Sequence, residues 1–574
     1  MVRVMGTVLL LKILGIKEDC GMKRIYAIMM MAAALAACSQ EELPQIVEEP
    51  EAPTYTMNIE ATKGEDDNTK ALSLSGKALN ATWAEGEAVT VYNVTRSVDL
   101  TGTLTAQSSG TSTVLKGTLT GTIQNGDELK LMFLSPSYAS QTGTLEYIAA
   151  NCDYAEATVT VTDASTPSVT TTAANFLNQQ AIVKFTLKNS SGGALPCNPE
   201  ALRVSDGTNT IVMTGILGST YSNENNGAGV LYVAMPGFSD KTVIVDAYCN
   251  EKLYSYTKAD VSFADGNYYA ITVKMSPVTN VDLARVISNL ELQDGDMATG
   301  TLGSIVRVSV ASGATVTLSG ATINGTNSGW RYAWGGLHCK GNATVVLADG
   351  TTNTLRGSYD YPGIYIPEGN TLTIQGTGTL NASSNGDGVG IGGGWGINCG
   401  NILIKNGIIN ATGGHYAAGI GSGYFCSCGS IEIQGGTVTA HGGSFAAGIG
   451  TGHGDEMEDF DYDPETDESM PNGNFFYDIS TCGTITISGG TVVASGGDFA
   501  AGIGTGEIGN CGNITITSGV TRVTATKGFV AQHSIGRGDD GVNFQNYWEY
   551  EDFTVTIGGS NVGYISTSPY TYEP

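Results

Sequence analysis

Ala417-Ala418-Gly419-Ile420-Gly421, Ala446-Ala447-Gly448-Ile449-Gly450 and Ala500-Ala501-Gly502-Ile503-Gly504 are one phrase written three times. The phrase runs on to a Cys-Gly pair and a short strand, with pairs at Cys399-Gly400, Cys428-Gly429, Cys482-Gly483 and Cys511-Gly512. Ile391, Ile420 and Ile449 stand 29 residues apart. A fixed period of this size marks a solenoid, in which each unit buries its apolar face only by stacking on its neighbours.

Alternation within each unit assigns the faces, because successive strand residues point to opposite sides. Ile402/Ile404, Ile431/Ile433, Ile485/Ile487 and Ile514/Ile516 point inward, while Leu403, Glu432, Thr486 and Thr515 point out. A second strand buries Val438/Ala440 and Val492/Ala494, and a third Ala418/Ile420, Ala447/Ile449 and Ala501/Ile503. Three short strands per coil with glycine at the corners predict a right-handed parallel β-helix over residues 301–574, its hand following the crossover rule. Coils stack about 4.8 Å apart, which brings one cysteine per coil into a column. Small buried cysteines behave as hydrophobes, so a thiol ladder is expected in preference to disulfides. Cys426-Ser427-Cys428 lacks the second Cys pair that a zinc site needs.

The repeat breaks in two places. An insertion of 25 residues between Gly452 and Cys482 holds Asp459, Asp461 and Asp463 at calcium-loop spacing, but Pro464 and Met470 stand where an EF-hand needs Gly and Glu. The insertion therefore reads as a solvated acidic flap or a loose calcium site, and no cofactor is required. Trp330, Tyr332 and Trp334, then Tyr359, Tyr361, Tyr365 and Trp395, gather at the N-terminal end of the helix. Such rings either stack on sugars or cover an open core end. Tyr416, Phe445 and Phe499 share one repeat position and read as an internal corner stack. The five histidines are scattered, and the coils show no repeated carboxylate stripe of the kind polysaccharide-cleaving β-helices use, so a non-enzymatic role is expected.

A formal net charge of −28 excludes nucleic acid and anionic membrane surfaces as partners. At the N-terminus, residues 22–38 form a charged start, an apolar run and Leu35-Ala36-Ala37-Cys38, a lipobox whose cysteine takes the lipid. Residues 39–54 are an acidic, proline-containing tether, so the chain is expected at the cell surface, anchored in the outer membrane by its acyl groups. Short alternating strands such as Ala88–Tyr92, Leu129–Phe133, Ala181–Leu187 and Val230–Ala234 predict two antiparallel β-sandwiches, 55–165 and 166–277, and 278–300 reads as a connector.

The segments Thr69-Lys70-Ala71-Leu72, Leu79-Asn80-Ala81-Thr82-Trp83, Asn178–Phe185 and Asn267–Lys274 resemble the fimbrillin lipoproteins, subunits of lipoprotein-derived pili. The resemblance implies two transthyretin-like domains, trimming after a basic residue (Lys63 or Lys70), and partnership with other subunits by donor-strand exchange. Stalk subunits end in the strand they donate, whereas this chain continues for some 300 residues, which implies a tip position or an untrimmed surface lipoprotein. The Gly-Gly-Thr-Val and Gly-Ile-Gly phrases also resemble carbohydrate-binding β-helix modules, some of which bind calcium. The expected fold is therefore all-β, transthyretin-like sandwiches followed by a β-helix. The expected function is a surface adhesin for a glycan or host-surface ligand. A polysaccharide-degrading enzyme and a purely structural subunit stand as alternatives.

Overall fold

The structure, a computed structural model, describes residues 52–63, 74–75, 78–79, 82–134, 137–165, 167–214, 230–325, 334–463, 468–539 and 552–574, with backbone alone at 74–79 and 455–478. Cys38, Lys70, Trp330 and Tyr332 lie outside these residues. The fold is nearly all β, two sandwiches followed by a parallel β-helix, and no helix among the described residues is long and apolar enough to cross a membrane.

The first sandwich closes on its own first strand. Thr54–Lys63 runs antiparallel to Ser112–Thr120 and parallel to Ser168–Thr171 and Ala174–Asn178, which return to Ala155–Asp163. Its inward residues Tyr55, Met57, Ile59 and Ala61 join Trp83, Leu104 and Phe176 in the core, where Trp83 meets Phe133 and Phe176 edge-on. The expected boundary at 165/166 is therefore too early, since the strands up to Asn178 complete this sandwich.

The second sandwich orders its strands Thr210–Thr214, Ala201–Ser205, Phe238–Cys249, Lys252–Phe263, Tyr268–Pro277, Ala181–Asn189 and Val230–Met235. Its Val230–Met235 edge is capped from the interdomain segment. The Gln141 amide bonds both the N–H and the C=O of Ala234, and the Gly143 carbonyl accepts from Tyr232 N. Such caps keep an edge from pairing with another chain.

Residues 278–300 are not a connector. Asn280–Asp282 pairs in parallel with Met297–Thr301, and Leu290–Leu292 with Val308–Val310, so the β-helix begins some twenty residues earlier than its repeat announces. Val281, Leu283, Leu290, Leu292 and Ala298 share one core with Ala201, Tyr248 and Leu253 of the second sandwich, which covers the N-terminal end of the helix. Two ionic clamps flank this joint. Asp246 holds Arg203 and Arg285, and Glu251 and Glu291 hold Arg307 and Lys340.

Along the helix the expected inward residues stack coil on coil. Ile364, Ile391, Ile420, Ile449, Ile503 and Ile535 form one column in register, and Ile402, Ile431, Ile485 and Ile514 another, all essentially fully buried. A short additional ladder, Ser427–Cys428, Ser480–Cys482 and Gly509–Cys511, lines one corner. The inserted segment leaves this corner as a hairpin, Asp455–Asp463 against Glu468–Asp478, while Cys428 still pairs directly with Cys482. The described cysteines are free thiols, and the Cys428 and Cys482 Sγ atoms donate to Gly400 and Gly429 carbonyls. At the far end Tyr570–Tyr572 folds back antiparallel on Arg522–Thr526, and Phe553, Tyr564, Tyr570 and Tyr572 close the core.

Candidate functional site

Register alone builds the site. Counting back from the isoleucine column, Asp360, Asp387, Tyr416, Phe445 and Phe499 occupy one position of successive coils. Counting forward past the next glycines, Trp395, Tyr424, His453, Glu507 and Asp539 occupy another. The coil turns back on itself, so the two columns meet along one corner.

Their rings make a continuous aromatic stack, buried at Tyr424 and His453 and half-open elsewhere. Tyr416 stacks on Phe445 at 5.4 Å between centroids, and Phe445 on Phe499 at 4.8 Å. Tyr424 lies over Tyr416 at 5.0 Å and parallel to His453 at 5.3 Å. Trp395 meets Tyr424 edge-on at 4.7 Å, and His453 Nδ1 lies 3.3 Å from the Glu507 carboxylate. Tyr416, Phe445 and Phe499 are thus a stack, as expected, but half-buried at the surface instead of internal. Offset stacking at these distances is the favoured aromatic geometry, and it turns the ring faces toward one another. The open faces are elsewhere, on Trp395 (42% exposed) and Tyr359 (47% exposed).

Trp395 is tied to the acidic end of the first column, its N–H donating to the Asp360 carbonyl at 3.1 Å. Burial, then the neighbouring Asp387 charge, pushes the Asp360 carboxyl above the usual carboxylate range. Tyr359 holds a left-handed backbone at φ 55°, and its carbonyl accepts from Ser384 Oγ at 3.0 Å. A bulky residue in that region is strained, and such strain gathers at functional positions.

Of the sugar-stacking candidates, Trp334 and Tyr361 are half-buried on the same corner. Trp334 N–H donates to Ser358 Oγ at 3.1 Å, one residue before Tyr359. None is needed to cap the helix, because Tyr248 and Leu253 of the second sandwich cover that end. Tyr424 and His453 escaped the sequence reading. Their signal was present as the residue after Gly-x-Gly in each coil, but it changes chemistry from Trp to Tyr to His to Glu to Asp and so does not look like a repeat.

The remaining candidates fare differently. Lys63 ends the strand Thr54–Lys63. It takes the next inward place after Ala61, with Nζ 2.8 Å from Glu87 and above the Phe133 and Trp83 rings, and its side chain is buried. Ion pairing and cation–π contact offset the cost of burying that charge. Asp459, Asp461 and Asp463 lie in a hairpin strand, with a register shift between Glu458 and Phe460, and not in a coiled calcium loop. Among the described residues no group of three or more His, Cys, Asp or Glu is placed to hold a metal ion.

Residues 372–395, 402–424, 431–453 and 485–507 match the family described as the β-helix repeat. No curated protein matches the chain. Among solved structures, a proposed cell adhesion protein of Bacteroides ovatus is similar at 12% identity, covering 40% of this chain and 96% of its own, with a TM-score of 0.22. A proposed cell adhesion protein of Bacteroides uniformis is similar at 13%, covering 39% and 96%, with a TM-score of 0.23. A fimbrial assembly protein of Parabacteroides distasonis follows at 11%, covering 38% and 90%, with a TM-score of 0.20.

Proposed function

We propose that this chain is a cell-surface adhesin, lipid-anchored through Cys38 in the outer membrane, whose β-helix presents a glycan-binding corner. The observation that carries the reading is the aromatic corner itself, a continuous run of rings beside carboxylates on a helix clamped to its base. Sugars bind proteins through ring stacking together with a few placed polar groups, and this corner offers both. A glycan array probed with the full-length chain tests it. Retention of defined glycans supports the adhesin. A silent array favours a structural subunit, and release of new reducing ends from a polysaccharide panel favours an enzyme.

Pilus-tip placement has its own support. Thr54–Lys63 fills the place between Ser112–Thr120 and Ser168–Asn178, so cleavage after Lys70 would free that strand and leave a slot for a donor strand of another subunit. Cleavage after Lys63 is opposed by its burial. The strand Tyr268–Pro277 sits inside its sheet and leads directly into the β-helix, so it is not free for donation. Antibody against the β-helix, viewed on intact filaments, should label ends only; label along the shaft rules the tip out.

A further inference from the structure

The aromatic side chains with more than a third of their surface open among the described residues are Tyr359, Trp395 and Phe529, the last 94% exposed, and all three lie on one corner. They are not side by side. Tyr359 and Trp395 stand at the N-terminal end of the corner and Phe529 at the C-terminal end. Close backbone contacts run from Tyr359 through Gly386, Gly414, Gly443 and Gly497 to Gly528, each residue stacked on the one before. That is five coil steps, about 24 Å at the strand spacing. Glycine fills the places between, so no side chain rises from this row, and the next residue of each coil, Asp387, His415, Ser444, Asp498 and finally Phe529, forms the row beside it. The stacked rings of Tyr416, Phe445 and Phe499 border it on one side.

Open indole, phenol and phenyl faces are groups on which sugar rings stack, so two platforms beside one line suit a ligand that reaches both. The polar groups beside the line are Asp387, His415, Ser444 and Asp498; each offers an acceptor to a hydroxyl group, and the two carboxylates repel anions. We infer that the corner binds a linear, neutral polysaccharide laid along the helix axis, with sugars at its two ends stacking on Tyr359/Trp395 and on Phe529. An extended pyranose chain advances per sugar by a step similar to the coil spacing, so bridging the platforms takes about as many sugars as coils. This inference rests on the glycan-binding reading and adds the ligand's charge, length and direction.

The test begins with the full-length chain on an array of neutral and uronic-acid polysaccharides. Titration calorimetry follows, with size-graded oligosaccharides of the polymer retained. Affinity should rise about two- to ten-fold from disaccharide to hexasaccharide, the worth of one added stacking contact. Trp395→Ala and Phe529→Ala should each remove most of that gain, and Phe529→Ala should do so with the thermal midpoint unchanged, Phe529 being almost free of packing. A hexasaccharide that binds no tighter than the disaccharide, an unchanged Phe529→Ala, or retention of uronic-acid polymers in preference overturns the axial site while glycan binding stands. A silent array removes both.

Discussion

At the scale of single residues, the glycine after each core isoleucine sets how closely coils approach. Gly421 has φ +136°, and a Cβ there would lie 1.9 Å from the Gly450 carbonyl oxygen; Gly392, Gly450 and Gly504 repeat the situation. Gly421→Ala should therefore cost about 3 kcal/mol or more, read as a lower urea midpoint at unchanged slope. The thiol column makes a second prediction. Neighbouring thiols, and then burial, push Cys428 and Cys482 well above the ordinary value of 9.0, and burial alone takes Cys339 up to about 12. Below pH 9 the thiols are protonated in both states and their contribution is fully present. As pH rises past 9 the unfolded chain ionises first, so stability falls until the native thiols titrate in turn. The urea midpoint should drop above pH 9, and drop less steeply when Cys428 and Cys482 are both alanine. Equal steepness would remove the thiols as the cause.

At the scale of elements, the stacked columns make the helix a one-dimensional object. Ile433 is fully buried between Ile404 and Ile487. Ile433→Ala should cost about 2–5 kcal/mol, and because each coil leans only on its neighbours, hydrogen exchange should quicken in 485–557 more than in 343–374. Uniform quickening would show a helix that unfolds as one unit. The interior of these coils was legible in sequence because stacking demands the same residue at the same place. Alternation and a 29-residue period carry that demand directly. The first coil was not legible, since its partner on one side is a sandwich and it need not repeat anything; Asn280–Asp282 offers a single inward apolar residue, Val281. Lys63 misled for a related reason. The strand pattern Tyr55, Met57, Ile59, Ala61 pointed inward to it, but a lysine reads as a strand's end unless Glu87 and the two rings are known to wait there. The site was half legible. Trp395 and Tyr359 announced themselves as aromatic exceptions, whereas the column of Tyr424 and His453 is defined by position and not by chemistry.

At the scale of the molecule, the joint between base and helix is a structural unit in its own right. The Asp246 carboxylate is wholly buried and holds both Arg203 and Arg285, with Ser255 Oγ donating to it at 2.7 Å. Asp246→Ala strands two partly buried guanidinium groups, and the loss should be about 3–5 kcal/mol. Calorimetry should then resolve base and helix as separate transitions; a single unsplit transition would show that the shared core alone couples them. Likewise, a fragment starting at residue 301 lacks Val281, Leu283, Leu290, Leu292 and Ala298 and should aggregate, whereas one starting at residue 278 should not. The strand Tyr268–Pro277 gives this joint a mechanical meaning. It lies in register beside Ala181–Asn189 over eight residue pairs and passes without a slack segment into the first coil. Pulled between its N-terminal sandwich and its β-helix, as the proposed adhesin would be, the chain would load that strand in shear, so its hydrogen bonds would share the force and yield together instead of peeling one after another.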